Sequence, residues 1–226
     1  MKFAYGSAAR STTFDRQRPL GGYNGRALAT RFEKAIDAFT ELNAADPVRQ
    51  DVAGVPRPRL LVQAERLAAW VERLEPHASE ALRLAARCQH LERWKIARGE
   101  FPEGRAGYLQ WRTRLGRYHA ERAREVLAGL GYDDETIHAV ETIVTKQHLR
   151  SNPDSQTMED ALCLVFLEYE FDDFLDKYPD EDKAVDILQK TWKKMSPRAH
   201  AAALELTFSE RARSLVARAL GSSTAA

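Results

Sequence analysis

Cysteine is scarce in this chain: there are two, Cys88 and Cys163. Neither belongs to a CxxC pair or a Cys/His cluster, which excludes a structural zinc site of that kind. Both sit inside apolar helical patterns, the setting of buried free thiols in a reducing compartment. Long hydrophobic runs are missing too. The longest, 161–167, is far too short to span a bilayer. The N-terminus MKFAYGSAARSTTFDRQRPLGG has no apolar core, so it does not read as a secretory signal. Surplus charge is absent: the formal net charge is +1, which excludes a global pull toward nucleic acid or membrane. No run of β-branched residues alternates with period two, so no sheet is expected, and there is no internal repeat. These absences leave a cytoplasmic, all-α protein that does not enter membranes.

The chain has 226 residues, 44% of them hydrophobic and 30% charged, enough for one well-solvated domain with a sizeable core. Residues 1–25, rich in Gly, Ser, Thr and Arg without apolar period, read as a flexible extension. Residues 26–220 read as a single multi-helix domain, and 221–226 as a tail. Helical periodicity predicts helices over 27–43, 60–74, 79–94, 107–130, 133–148, 157–178 and 182–195, then two short ones near 197–206 and 209–220. Ser79, Asp133 or Asp134, Thr157 and Ser196 are the expected N-caps, with Asp160 closing a weak capping box for Thr157. The segment 46–58, with three prolines and a glycine, is expected to be a loop.

Charge is uneven. Residues 95–124 hold eight Lys/Arg against three Asp/Glu, and 159–186 hold eleven Asp/Glu against two lysines. Two mutually attracting solvated faces would explain this, as would a basic patch for an anionic ligand.

Several residues break the apolar pattern. Glu168 sits in ALCLVFLEYEF, apolar nearly all round, and a carboxylate buried there would need a cation, a metal or several donors. Counting about 100° per residue, Arg83, Arg87, His90 and Trp94 share one stripe, which suits an anionic or aromatic ligand. His119 falls on the apolar stripe of its helix, and His148 on that of the next. Each alone is the ordinary pattern of a core histidine. Together, three inward imidazoles and one carboxylate suit a divalent metal or a general acid–base pair. The loop KIARGEFPEGRAGYLQWR interleaves Arg98, Arg105 and Arg112 with Phe101, Tyr108 and Trp111. That mixture suits a nucleotide or single-stranded RNA, and equally a loop packed by cation–π contacts that lids a pocket.

Two resemblances rest on these stretches. AIDAFTELNAADP, RLAAWVERLEPHASEALRLAARCQHLERW, GYLQWRTRLGRYHAERA, SQTMEDALCLVFLEYEF and KTWKKMS resemble a bacterial and fungal family known as domain of unknown function 4202, over about 32–220. It implies no activity. HAERAREVLAGLGYDDETIHAVETIVTKQH resembles the middle of an HD-domain phosphohydrolase, which implies an HD-like helical core. Carried over, His90, His119 and His148 would be metal ligands and Glu168 the closing acid, although Gln89-His90-Leu91 stands where that family has an adjacent His-Asp pair.

Three functions follow. The first is a metal-assisted hydrolase of a phosphorylated or other anionic small molecule. His90, His119, His148 and Glu168 would hold a divalent ion, Glu168 and His119 would act in catalysis, and Arg83, Arg87, Trp94, Arg98, Tyr108 and Arg112 would bind the anion. The second is a metal-free nucleotide- or RNA-binding module. The third is a structural adaptor with a satisfied polar core.

Overall fold

The computed structural model describes residues 29–221. The expected extension over 1–25 lies outside them, as does nearly all of the expected tail. Ten α-helices are formed among the described residues. Thr30 opens α1 (Arg31–Ala44) with a full capping box, its side chain accepting from Glu33 N while Glu33 returns the bond to the Thr30 amide. Ser79 caps α3 (Glu80–Cys88), Asp133 caps α5 (Asp134–Val144), and Ser196 caps α9 (Pro197–Leu204), each by accepting from a backbone amide three residues on. The remaining helices are α2 (Arg59–Leu74), α4 (Gly104–Gly129), α6 (Pro153–Val165), α7 (Phe171–Lys177), α8 (Glu181–Trp192) and α10 (Glu210–Ala219). None is long and apolar enough to cross a membrane.

One core runs through all of them, from Ala35 and Phe39 on α1 to Leu215 on α10. The short α3 lies at its centre, packed against α1, α2, α5 and α6, with Leu82, Leu84, Ala85, Ala86 and Cys88 all buried. Helix α4 pairs with α5, and α2 with α6. Farther along, α8 pairs with α10 and α9 sits on α6. The predicted all-α class is thus what the chain adopts.

Five local expectations are corrected. The segment 46–58 is not all loop: Arg49–Val52 (β1) and Val55–Pro58 (β2) form a two-stranded antiparallel hairpin. The turn is made by Ala53 and Gly54, both at positive φ, and the fully buried Asp46 carboxylate accepts from Val48 N and Leu60 N at either end.

Helix three ends at Cys88, not near residue 94. Glu92 adopts φ 52°, a left-handed conformation that no helix continues through. Helix five likewise ends at Val144, because Lys146 and His148 are left-handed.

Helix six begins earlier than expected. Asn152 caps it through Asp154 N and Ser155 N, and Pro153 takes the first turn. Thr157 is inside the helix and donates back to Pro153 O at 2.9 Å. Asp160 closes no capping box. Fully buried, it accepts from Gln156 Nε2, Ser196 N and Ser196 Oγ, tying α6 to α9.

Finally, the apolar stretch after α6 is not a continuous α-helix. Phe166–Glu170 forms a π turn. Its i→i+5 bonding inserts an extra residue and rotates every later side chain off the α phase. Glu168 is therefore exposed rather than buried, and accepts from Trp70 Nε1 at 2.7 Å. The acids that α6 does bury are Glu159 and Asp160.

Candidate functional site

A cleft of about 830 Å³ opens between the start of α2, the chain after α3, the first half of α4, the turn after α5 and the inner face of α6. Helix α4 supplies much of one wall, with Tyr108, Arg112, Arg117 and His119. It is held in place at two points. Near its start, Gly107 passes so close to the preceding turn that a Cβ there would lie 1.8 Å from Pro102 O. Farther along, Glu92 accepts from Tyr118 Oη at 3.0 Å and Arg122 Nε at 2.8 Å, and pairs with Lys95 at 2.5 Å. Burial opposes charge on Glu92, but the bonds from Lys95, Tyr118 and Arg122 prevail and hold its carboxyl below the usual range. This clamp presents the 3-10 turn Arg93–Lys95 to α4, and with it Arg93 to the cleft.

The cleft is rich in cations. Arg59, Arg93, Arg112, Arg117, Lys146 and Lys194 line it, against the acids Glu159 and Glu170. Glu159, buried, is paired with Lys146 at 2.5 Å and Lys194 at 3.7 Å. Burial would raise its pKa, yet these lysines and Arg112 keep it below the ordinary value. Glu170 accepts from Gln63 Nε2 at 2.8 Å. Among the described residues, none of the four arginines makes an ion pair. Arg93 carries the strain of this: burial lowers its pKa, and the neighbouring charges of Arg112 and Arg59 lower it further. Its guanidinium rests 4.7 Å above the Trp111 ring, whose Nε1 donates to Ile96 O.

Among the described residues, three buried polar atoms of cleft-lining side chains have no hydrogen-bond partner: Arg59 Nε, Gln89 Oε1 and His119 Nε2. His90 and His119 meet edge to face, their ring centroids 6.0 Å apart. Both titrate below the ordinary histidine value. For His90 burial is the first cause, followed by Arg93, His119, Lys146 and Arg112. For His119 burial brings the pKa to about 4 against the raising effect of the Leu91 carbonyl. Cys163 also lines the cleft, but burial first and then Glu159 push its thiol up to about 12, so it is no nucleophile at neutral pH.

Of the candidate site residues read from the sequence, His90, His119, Tyr108 and Arg112 face this cleft. The others do not. Arg83 is exposed over the Phe32 ring, and Arg87 offers its carbonyl to Asn43. Trp94 is half-buried outside the cleft, because the helix that would have aligned it with His90 has already ended. Arg98 bonds Phe101 O and Gly104 O, so the Arg/aromatic loop is packed upon itself. His148 lies exposed in the turn after α5, and Glu168 is on the outer side of the π turn. A divalent ion held by His90, His119, His148 and Glu168 does not fit this arrangement. Among the described residues no three His, Cys, Asp or Glu side chains converge to hold one.

Sequence reasoning missed Arg59, Arg93 and Arg117, along with Gln89. Arg93 was detectable, since it immediately precedes Trp94 in an arginine-and-aromatic stretch. Arg59 follows a proline in a segment read as loop, and nothing local marks it.

The matched family now has a place on this frame. The model of the domain of unknown function DUF4202 matches residues 33–216, from α1 to α10. The chain belongs to this family. The DUF4202 match thus takes in every cleft residue named above. No curated protein matches the chain, and no solved structure does.

Proposed function

We propose that this DUF4202 protein binds a small anionic molecule of about nucleotide size, a phosphorylated one above all, in the cleft between α2, α4 and α6. One observation carries the reading: Arg59, Arg93, Arg112 and Arg117 converge from three segments on one cleft without an ion pair among the described residues. Like charges brought together and partly desolvated are unfavourable unless an anion answers them. Arginine forks match phosphate oxygens two at a time. A volume of about 830 Å³ suits a nucleotide or sugar phosphate. The aromatic rings of Tyr108 and Phe166 give part of the wall an apolar surface.

Calorimetric titration with inorganic pyrophosphate and adenosine 5′-monophosphate tests this. Binding should be saturable, weaken as salt rises, and fall at least about tenfold in Arg93→Ala. Absence of binding by either compound at low salt overturns the reading. Affinity that grows with the length of a single-stranded oligonucleotide, while mononucleotides fail to bind, would replace it with RNA recognition.

A further inference from the structure

The unpartnered acceptors of the cleft say more about the ligand than its charge. Gln89 donates through Nε2 to Val144 O at 3.0 Å, which orients the carboxamide and leaves Oε1 as its free atom. His119 places Nδ1 2.7 Å from Leu91 O. A carbonyl oxygen only accepts, so that nitrogen must carry the proton and Nε2 of the neutral ring is a bare lone pair. Gln89 is 5% exposed and His119 2%, and both line the cleft. Each is oriented by a backbone carbonyl that it cannot leave without leaving that group unpaired in turn.

Neither acceptor is answered by an anion. Phosphate oxygens at neutral pH satisfy arginines, which are donors only, and would repel the lone pairs of Oε1 and Nε2. We infer that the ligand carries, besides its anionic group, O–H or N–H donors that Gln89 Oε1 and His119 Nε2 receive. This rests on the anion-binding reading above. The class is a phosphorylated molecule with donor groups: a sugar phosphate through its hydroxyls, or a nucleoside monophosphate through a ring amine.

A ligand series on the full chain decides it. Propyl phosphate, a dianion above neutral pH, supplies the anion without donors, and the series is run there. Ribose 5-phosphate supplies hydroxyls, purine riboside 5′-monophosphate hydroxyls and an unaminated base, and adenosine 5′-monophosphate an amine as well. At least one donor-bearing compound should bind about tenfold or more tighter than propyl phosphate, since a site built to receive donors discriminates against a compound lacking them. In nitrogen-15 spectra the Nε2 resonance of His119 should move upfield as it accepts the bond. A gain shared by ribose 5-phosphate and purine riboside 5′-monophosphate assigns the sugar hydroxyls. A gain confined to adenosine 5′-monophosphate assigns the amine. Equal affinities across the series, with an unmoved Nε2 resonance, overturn the donor inference and leave anion binding standing. Failure of every phosphate compound to bind removes the anion reading and the inference with it. His119→Phe should reduce the preference without abolishing phosphate binding. If that variant does not fold, the series and the spectra decide the matter in the unaltered protein.

Discussion

Glu92 and Arg122 are joined at 2.8 Å, and that bond connects the left-handed residue ending the α3 segment to the second half of α4. Tyr118 and Lys95 complete the clamp. Its consequence is positional: Arg93, one residue on, is held in the cleft although it has no ionic partner of its own among the described residues. The clamp is thus what keeps a partly desolvated cation where an anionic ligand can reach it.

Breaking the clamp should loosen both fold and site. Glu92→Ala leaves the Arg122 and Tyr118 donors without their acceptor and should destabilise by about 2–3 kcal/mol in denaturant unfolding. Pyrophosphate affinity should fall with it, because Arg93 loses its anchor. Glu92→Gln keeps the shape and one acceptor oxygen, so the loss should be smaller.

Gly107 and Gly116 should respond in opposite directions to the same methyl group. Gly107→Ala drives a Cβ into Pro102 O and should destabilise by at least about 2 kcal/mol, displacing the α4 start that carries Tyr108 and Arg112. Nothing lies within 4 Å of a Cβ at Gly116, so Gly116→Ala should stabilise by about 0.5–1 kcal/mol through helix propensity. Thermal unfolding of the pair checks this.

The arginines should separate cleanly by their place in the fold. Arg93→Ala weakens pyrophosphate binding at least about tenfold. Arg87→Ala and Arg83→Ala, outside the cleft, should leave it within about twofold with helix content intact. If Arg87→Ala weakens binding as much as Arg93→Ala, the cleft has been placed on the wrong side of α3.

Stability should rise with pH through the histidine range. The folded pKa of His119 is lowered to about 4, below the ordinary 6.5. Between those values the unfolded chain binds the extra proton and the folded one does not, so folding is opposed as pH falls from 6.5 toward 4. His90 shifts in the same direction. The loss from His119 alone is roughly 3 kcal/mol over that window and absent above it. Denaturant unfolding at pH 7.5 and pH 4.5 should show it, and His119→Phe should flatten the slope.

Glu168→Ala should be mild. The carboxylate is exposed and accepts from the Trp70 indole, so a loss of about 1–2 kcal/mol is expected rather than the larger penalty of an orphaned buried ion. A loss above about 4 kcal/mol would contradict that placement.

What the sequence determined by itself is what depends on near neighbours along the chain. The all-α class, the caps at Ser79, Asp133 and Ser196, and the inward stripe holding His119 all follow from periodicity and capping chemistry within a turn or two. The family likeness was legible for the same reason, being carried by contiguous stretches. The tertiary structure decided the rest. Glu168 left the core because a π turn reset the helical phase, and His148 and Trp94 left the pocket because left-handed residues ended their helices early. Those events depend on packing energies that no window of residues contains. The arginine cleft likewise joins residues 59, 93, 112 and 117, and only the folded chain shows that these four lack acidic partners among the described residues. A charge count along the sequence registers the cations, but whether each is paired is a question of distance in space.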